Sequence, residues 1–100
     1  MKAYKHLVKH ALKNDCLVSV WDGEEWQVSK SSKYNAIIEA IESVEEAELK
    51  IYSKSDTRGE GYKGWALVSA FGLDDEETVI DNTMHPFMNE WEELYNQTTA

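Results

Sequence analysis

The chain has 100 residues, a formal net charge of −9 and a single cysteine, Cys16. Its length predicts one domain, residues 1–100, that buries enough apolar surface to fold without disulfides or a metal. Its longest apolar run is about five residues, too short to cross a membrane. With no signal peptide predicted and no internal disulfide possible, we expect a cytoplasmic protein.

The charge is unevenly distributed along the chain. Residues 1–14 carry four lysines and no acid, whereas residues 72–100 carry eight acids and no lysine or arginine. Such a protein should not bind nucleic acid directly or bind a membrane, because both attract Lys and Arg. The expected partner is a protein with a basic surface, and solubility alone is the alternative role of the acids.

The periodicity of apolar residues predicts three helices and about four strands. In chain order they are a helix over 3–14, strands at about 16–21 and 25–30, a helix over about 33–45, strands around 49–52 and over 63–71, and a last helix that begins near Pro86. The order αββαββα indicates an α+β fold, an antiparallel sheet of about four strands with helices packed on it. Thr78 to Ile80 are a candidate for one additional short strand, and residues 95–100 are expected to fray.

The first two strands are expected to form a hairpin, because Asp22-Gly23 lies between two runs rich in Val and Trp. A loop of three residues with left-handed Gly23 would place Trp26 on the core face. Trp21 would then point to the opposite face. The helix that follows is expected to begin after an N-cap at Ser31 or Ser32, whose hydroxyls can accept a free N–H.

Three side chains are the credible reactive set. His6 and His10 are spaced as two ligands on one helix could be, and Cys16 is the only thiol. No general base lies between the two histidines, and Cys16 precedes an apolar strand, where a buried cysteine is the usual state. We therefore expect no catalytic residues, no metal site and no cofactor. A small metal-binding or ligand-binding protein that uses His6 and His10 is kept as an alternative.

Acidic and aromatic side chains supply a candidate interaction surface. Turn carboxylates are usually solvated, but Tyr and Trp are preferred anchors at protein interfaces, and four Trp and five Tyr exceed what one small core is expected to hide. The candidates are Trp21, Asp22, Glu24, Glu25, Tyr52, Tyr62, Asp74, Asp75, Glu76, Glu77, Glu90 and Glu93. The alternative for the rings is that they cap the edges of the sheet within the molecule.

Four phrases of the sequence, SVWDGEEWQV, AIIEAIESVEEAEL, GWALVSAFGLDDEETVID and FMNEW, resemble a group of small uncharacterised proteins of tailed bacteriophages and prophages. The resemblance covers residues 4 to 95 approximately and implies expression in a bacterial cytoplasm. It brings no active site. Compact acidic phage products often act by binding a host protein, so the resemblance implies a binding role.

The sequence therefore predicts a non-enzymatic accessory protein that binds a host or phage protein. An inhibitor or a nucleic-acid mimic is a sharper form of the same hypothesis, and a mimic requires carboxylates spaced like phosphates along one face. A homo-oligomeric structural protein, such as a homodimer that pairs through an exposed strand edge, is the alternative from another class.

Overall fold

The computed structural model describes residues 2–54, 61–71, 74 and 78–99. Residues 98 and 99 are described by their backbone only. The described elements are α1 (Ala3–Lys13), β1 (Cys16–Trp21), β2 (Trp26–Ser31), α2 (Tyr34–Glu42), β3 (Ala47–Ser53), β4 (Tyr62–Val68), β5 (Val79–Asn82) and α3 (Pro86–Thr99). The α+β class is confirmed. The predicted order αββαββα is corrected to αββαβββα, because β5 forms at the position left open as a further strand. β5 has only four residues and is an edge strand that pairs with β4 alone.

The five strands form one antiparallel sheet in the order β2-β1-β3-β4-β5. β3 lies at its centre, and burial alternates along it: Leu49 and Ile51 are completely buried, whereas Lys50 and Tyr52 are only partly buried. Successive side chains of a strand point to opposite faces. The sheet therefore has an inner face, which belongs to the core, and an outer face.

All three helices contribute to one core on the inner face. The core combines apolar side chains of α1, α2 and α3 with inward residues of the strands: Tyr4, Leu7, Val8, Val18, Val20, Ile37, Ile41, Leu49, Ile51, Val68, Met88, Trp91 and Tyr95. α1 contacts both of the other helices. Each fully buried large side chain contributes about 1.5–3 kcal/mol, so this layer accounts for most of the favourable free energy of folding.

The closest approach between helix and sheet occurs at Gly64 of β4. A Cβ atom on Gly64 would overlap the side chain of Met88, which is completely buried on α3. Only a residue without a side chain lets α3 pack this closely on the strand. α3 begins at Pro86, as predicted, since a missing N–H costs little in the first turn of a helix.

The β1–β2 hairpin differs from the predicted one. Trp21 pairs with Trp26, so the loop has four residues, 22–25, and not three. Gly23 has the expected positive φ of 104°. Val20 pairs with Val28, which leaves Gln27 as an extra residue in a β-bulge. The bulge lets Val28 point to the core while Trp26 joins Trp21 on the outer face, so the prediction that Trp26 lies on the core face was wrong.

The N-terminus of α2 also differs. Its N-cap residue is Lys33, whose side chain makes no capping hydrogen bond. Ser31 lies two residues before this N-cap, and its Oγ accepts a hydrogen bond of 3.1 Å from the Lys33 N–H. The predicted N-cap at Ser31 or Ser32 was therefore wrong. The predicted loop over 53–61 lies largely outside the described residues, since 55–60 are not among them.

Candidate functional site

The outer face of the sheet carries most of the aromatic side chains that the core does not use. Within the described residues, the helices pack on the inner face alone, and the outer face is lined by Leu17, Ser19, Trp21, Trp26, Glu48, Lys50, Tyr52, Tyr62, Trp65 and Leu67. Among the aromatic rings of this face, Trp26 and Tyr62 are the most exposed, at 44% and 40%. Exposed Trp and Tyr on one continuous surface are typical of an interaction site.

Two tryptophans form a corner at the hairpin end of this face. The rings of Trp21 and Trp26 meet edge to face, with centroids 4.9 Å apart and planes at 67°. Edge-to-face geometry is favourable because the positive ring edge meets the negative ring face. Glu48 and Lys50 of β3 complete the walls of a pocket of ≈ 270 Å³. We call this pocket the Trp21–Trp26 pocket.

Polar contacts fix the side chains around the pocket. The indole Nε1–H of Trp65 donates a hydrogen bond of 3.0 Å to Glu48 Oε1, across the β3–β4 pair. The Lys50 ammonium lies over the Trp26 ring, with Nζ 5.4 Å from the centroid. A cation at this distance is attracted by the negative π face. The pocket therefore combines two aromatic walls, one oriented carboxylate and one ammonium group.

A second aromatic pair occupies the other end of the outer face. Tyr52 and Tyr62 are cross-strand partners, with ring centroids 5.9 Å apart. The ammonium of Lys30 lies 5.1 Å from the Tyr52 centroid, and the His85 ring lies 6.5 Å from that of Tyr62. The predicted exposure of Tyr62 is confirmed, whereas Tyr52 is partly covered by its neighbours.

The predicted hairpin carboxylates have two different roles. Asp22 Oδ1 accepts hydrogen bonds from the N–H groups of Glu24 (2.7 Å) and Glu25 (2.8 Å), and Oδ2 accepts one of 2.6 Å from Gln27. These donors, the Glu25 N–H first, lower the pKa of Asp22. Asp22 thus closes the turn, as Asp often does at such positions. Glu24 and Glu25 are exposed beside the Trp21–Trp26 pocket.

Of the remaining predicted acids, those of α3 lie away from the outer rings. Asp74 is exposed, and Asp75, Glu76 and Glu77 lie outside the described residues. Glu90 and Glu93 are exposed on α3, which packs on the inner face. The structure therefore brings together Trp21, the hairpin acids and the outer rings, but it separates them from the acids of α3.

The two histidines lie in the contact between α1 and α3. His6 Nδ1 accepts a hydrogen bond of 3.0 Å from Trp91 Nε1, and the His6 ring meets Tyr95 edge to face. His10 packs against Phe87, with ring centroids 5.0 Å apart. Burial lowers the pKa of both imidazoles, although Glu90 opposes the effect at His10. These contacts make the histidines packing residues.

The third member of the reactive set, Cys16, is buried, and its Sγ lies 3.5 Å from the carbonyl oxygen of Asn14. Burial raises the pKa of this thiol, which disfavours the nucleophilic thiolate. In the part of the chain that the structure describes, no three His, Cys, Asp or Glu side chains are placed to hold a metal ion.

Sequence reasoning missed four residues of the outer face: Trp26, Glu48, Lys50 and Trp65. Three of them could have been found. The alternation that buries Leu49 also assigns Glu48 and Lys50 to the opposite face, and the apolar run over 63–71 carries rings that one core face cannot hold. The position of Trp26 on the outer face depends on the bulge at Gln27, and no turn residue in the sequence predicts that bulge.

The fold and the site define a two-layer α+β protein, with helices on one face of the sheet and an aromatic surface on the other. Comparison with family models, curated proteins and solved structures found no match for the chain. No helix in the described part of the chain combines the length and apolar character that a membrane crossing requires.

Proposed function

We propose that this protein is a non-enzymatic binding module that recognises a protein partner through the outer face of its sheet. One observation carries the proposal: the three helices share the inner face, and the outer face presents Trp21, Trp26, Tyr52, Tyr62 and Trp65. Large, stiff aromatic side chains lose little conformational entropy on binding, and they dominate the energetics of interfaces.

The charges of this face favour a protein over a nucleic acid. Lys30 and Lys50 lie over aromatic rings of the outer face. Glu48 points to the same face, and so does Asp81, because it is the cross-strand partner of Leu67. Two cations and two anions give no net positive charge, whereas nucleic-acid binding requires an excess of Lys or Arg. Balanced charge around aromatic rings is the composition of a protein interface.

The described acids support binding more than nucleic-acid mimicry. Glu39 and Glu42 lie on α2, and Glu90 and Glu93 on α3. α1, which contacts both helices, carries three lysines and no acid, and Lys5 and Lys9 are among them. A mimic of a phosphate backbone needs an unbroken row of carboxylates, and the basic helix interrupts that row.

Both edges of the sheet disfavour the alternative of homo-oligomers that pair through a strand. β2 has two register irregularities, and Lys30 within it has a positive φ of 45°. β5 has only four residues and carries Asp81. Bulges, short strands and charged residues are the devices by which edge strands avoid pairing with another chain.

The resemblance to small phage and prophage proteins makes a bacterial host protein or a phage protein the first partner to test. The net charge of −9 should steer a partner with a basic surface toward this protein. Binding should therefore weaken, but not vanish, as ionic strength rises, since the aromatic contacts do not depend on salt.

The test is affinity capture from bacterial lysate at low and moderate salt, followed by identification of the captured protein and a direct titration with the purified partner. The outer-face variant is Trp26→Ala/Tyr62→Ala, which truncates the two most exposed rings of this face. We expect it to weaken binding at least about tenfold, as the loss of two interface anchors should. The matched control is Met84→Ala, whose side chain is 87% exposed in the segment between β5 and α3.

Two results would contradict the proposal. Capture of no specific partner at either salt would remove its basis. A partner that binds wild type, Trp26→Ala/Tyr62→Ala and Met84→Ala with equal affinity would show that another surface is used. Far-UV circular dichroism of each variant separates loss of binding from loss of fold.

A further inference from the structure

The Trp21–Trp26 pocket has the shape of a site for one side chain. Its volume of ≈ 270 Å³ lies between two indole walls that meet at 67°, with Glu48 and Lys50 on the β3 side. An anchor site at an interface usually receives a single large side chain of the partner, since burying one well-fitted group excludes water most completely.

The pocket already shows which kind of group one wall accepts. Lys50 Nζ lies 5.4 Å from the centroid of the Trp26 ring, so this π face holds a cation within the molecule. Trp is the aromatic side chain that binds cations best. Lys50 is attached by a flexible chain of four carbons, so its ammonium group can leave the ring for solvent at small cost and make room for another cation.

The carboxylate of the pocket is oriented in advance. Trp65 Nε1–H holds Glu48 Oε1 at 3.0 Å, and Glu48 is partly buried. A fixed carboxylate loses little entropy when a donor binds, which strengthens a charge-assisted hydrogen bond. Exposed Glu24 and Glu25 lie in the loop that joins the two tryptophans, so the pocket and this loop together carry more anions than cations.

We propose that the Trp21–Trp26 pocket binds an arginine side chain of the protein partner, with its guanidinium on the Trp26 ring and hydrogen-bonded to Glu48. The proposal rests on the proposed function, which it deepens by naming the chemistry of the anchor. Arginine fits better than lysine because its planar group stacks on an aromatic face and presents several donors to one carboxylate. In the complex, the guanidinium replaces the Lys50 ammonium on the ring.

The test uses the full-length protein and a small probe, N-acetyl-arginine amide, so that it does not depend on knowing the partner. The readout is the NMR signal of each indole N–H during titration. We expect saturable shifts at Trp21, Trp26 and Trp65 with a dissociation constant of about millimolar order, typical of one side chain. N-acetyl-citrulline amide, which has the same shape without the charge, should cause no saturable shift.

Two variants give opposite expected effects. Glu48→Gln keeps an oxygen for Trp65 but removes the charge, and it should weaken binding of the probe at least about tenfold. Lys50→Ala removes the competing cation, and it should tighten binding severalfold. Glu39→Gln, an exposed carboxylate on α2, is the matched control and should leave the affinity unchanged.

The proposal is overturned by equal shifts with the arginine and citrulline probes, by unchanged affinity in Glu48→Gln, or by weaker binding in Lys50→Ala. A response to N-acetyl-glutamate amide in place of the arginine probe would assign the pocket to an acidic group and would also overturn it. Any of these results leaves the outer face as a binding surface intact, whereas failure of the Trp26→Ala/Tyr62→Ala test affects the function itself.

Discussion

The indole N–H of Trp91 donates a hydrogen bond of 3.0 Å to Nδ1 of His6, and this bond joins α3 to α1. Nδ1 can accept the bond only while it carries no proton. The folded protein therefore favours the neutral imidazole, in agreement with the pKa of His6, which burial lowers from 6.5. Protonation of His6 must break or distort a contact within the core layer.

Acidification below neutral pH is expected to destabilise the protein through this contact. Because the pKa is lower in the folded state, the contribution to stability is complete above the unfolded pKa of 6.5 and is lost as pH falls from there toward the folded pKa. His10 acts in the same direction, since burial lowers its pKa too. Urea unfolding at about pH 7.5 and about pH 5.5 measures the difference.

The control for this prediction is His6→Asn, which places an oxygen near the position of Nδ1 but cannot titrate. This variant should lose less stability than wild type between the two pH values. Its stability at neutral pH should change by a smaller amount than that difference. Glu90→Gln should increase the loss, because Glu90 favours protonated His10. A decline in His6→Asn as large as in wild type would show that other groups cause it.

Loss of the Tyr4 hydroxyl should also weaken the helical layer. Tyr4 is completely buried, and its hydroxyl donates a hydrogen bond of 2.7 Å to Glu42 Oε2, which joins α1 to α2. Burial and this carboxylate raise the pKa of the phenol. Tyr4→Phe should lower the free energy of unfolding by about 1 kcal/mol, since a hydrogen bond to a partly solvated charge contributes an amount of this order.

Denaturant unfolding of Tyr4→Phe, Glu42→Gln and the double variant checks this prediction. The double variant should be less destabilised than the sum of the two single variants, because each removes the same bond. Strict additivity would mean that the hydroxyl and the carboxylate contribute independently. Tyr34→Phe on α2 is a suitable control, since its ring is half-buried but contacts the Lys9 ammonium through its face.

Enlarging Gly64 should destabilise the contact between β4 and α3. A Cβ atom there overlaps Met88, and a well-packed core cannot shift freely to admit it. Gly64→Ala is expected to lower the free energy of unfolding by about 1–3 kcal/mol, the usual cost of overpacking. The measurement is urea unfolding at pH 7.5 or so, where His6 is neutral.

A Met88→Ala background distinguishes overpacking from other effects of the substitution. Removing the atoms that a Cβ would meet should shrink the cost of Gly64→Ala, while Met88→Ala itself costs about 2–5 kcal/mol as a cavity. Both backgrounds can be measured in a stabilising osmolyte, which keeps the weaker variants folded. An undiminished cost in the Met88→Ala background would point to backbone conformation as the cause.

Truncation of Asp22 should loosen the hairpin that carries Trp21 and Trp26. The carboxylate accepts the N–H groups of Glu24 and Glu25, so Asp22→Ala leaves both without that acceptor. Amide hydrogen exchange at these two positions should accelerate in Asp22→Ala, and less in Asp22→Asn, which keeps one side-chain oxygen. Because the pKa of Asp22 is lowered, its contribution to stability is present above pH 3.8 and is lost as pH falls through the folded pKa.

Amide exchange rates of Glu24 and Glu25 in wild type, measured as pH falls below 3.8, provide an independent check. Exchange rates equal to those of wild type in Asp22→Ala would show that the turn does not depend on the carboxylate. At neutral pH, we expect the amides of Glu24 and Glu25 to exchange more slowly in wild type than in either variant.

Local patterns in the chain predicted much of the fold. The spacing of Ile37, Ile38 and Ile41 predicted α2 and its buried side, and the alternation around Leu49 predicted β3. These predictions succeeded because helix and strand periodicities place side chains on faces without reference to the rest of the chain. β5 was predicted only as an optional short strand over Thr78 to Ile80, because four residues on a sheet edge carry too little pattern.

Predictions of the candidate site succeeded only in part. Tyr62 and Trp21 were expected to face away from the core, and they do so. Trp26 was assigned to the wrong face because a single extra residue in a strand reverses the alternation beyond it. Asp22 was expected at an interaction surface, and its carboxylate is engaged in the turn.

By itself, the sequence determined most of the elements, the antiparallel α+β class and the charge of this protein, because these depend on residues close together in the chain. Only the tertiary structure decided that all three helices share one face of the sheet, and that Trp21, Trp26, Glu48 and Lys50 meet on the other. Both outcomes depend on pairing between strands remote in sequence, where register and layer are set by how well whole surfaces pack together.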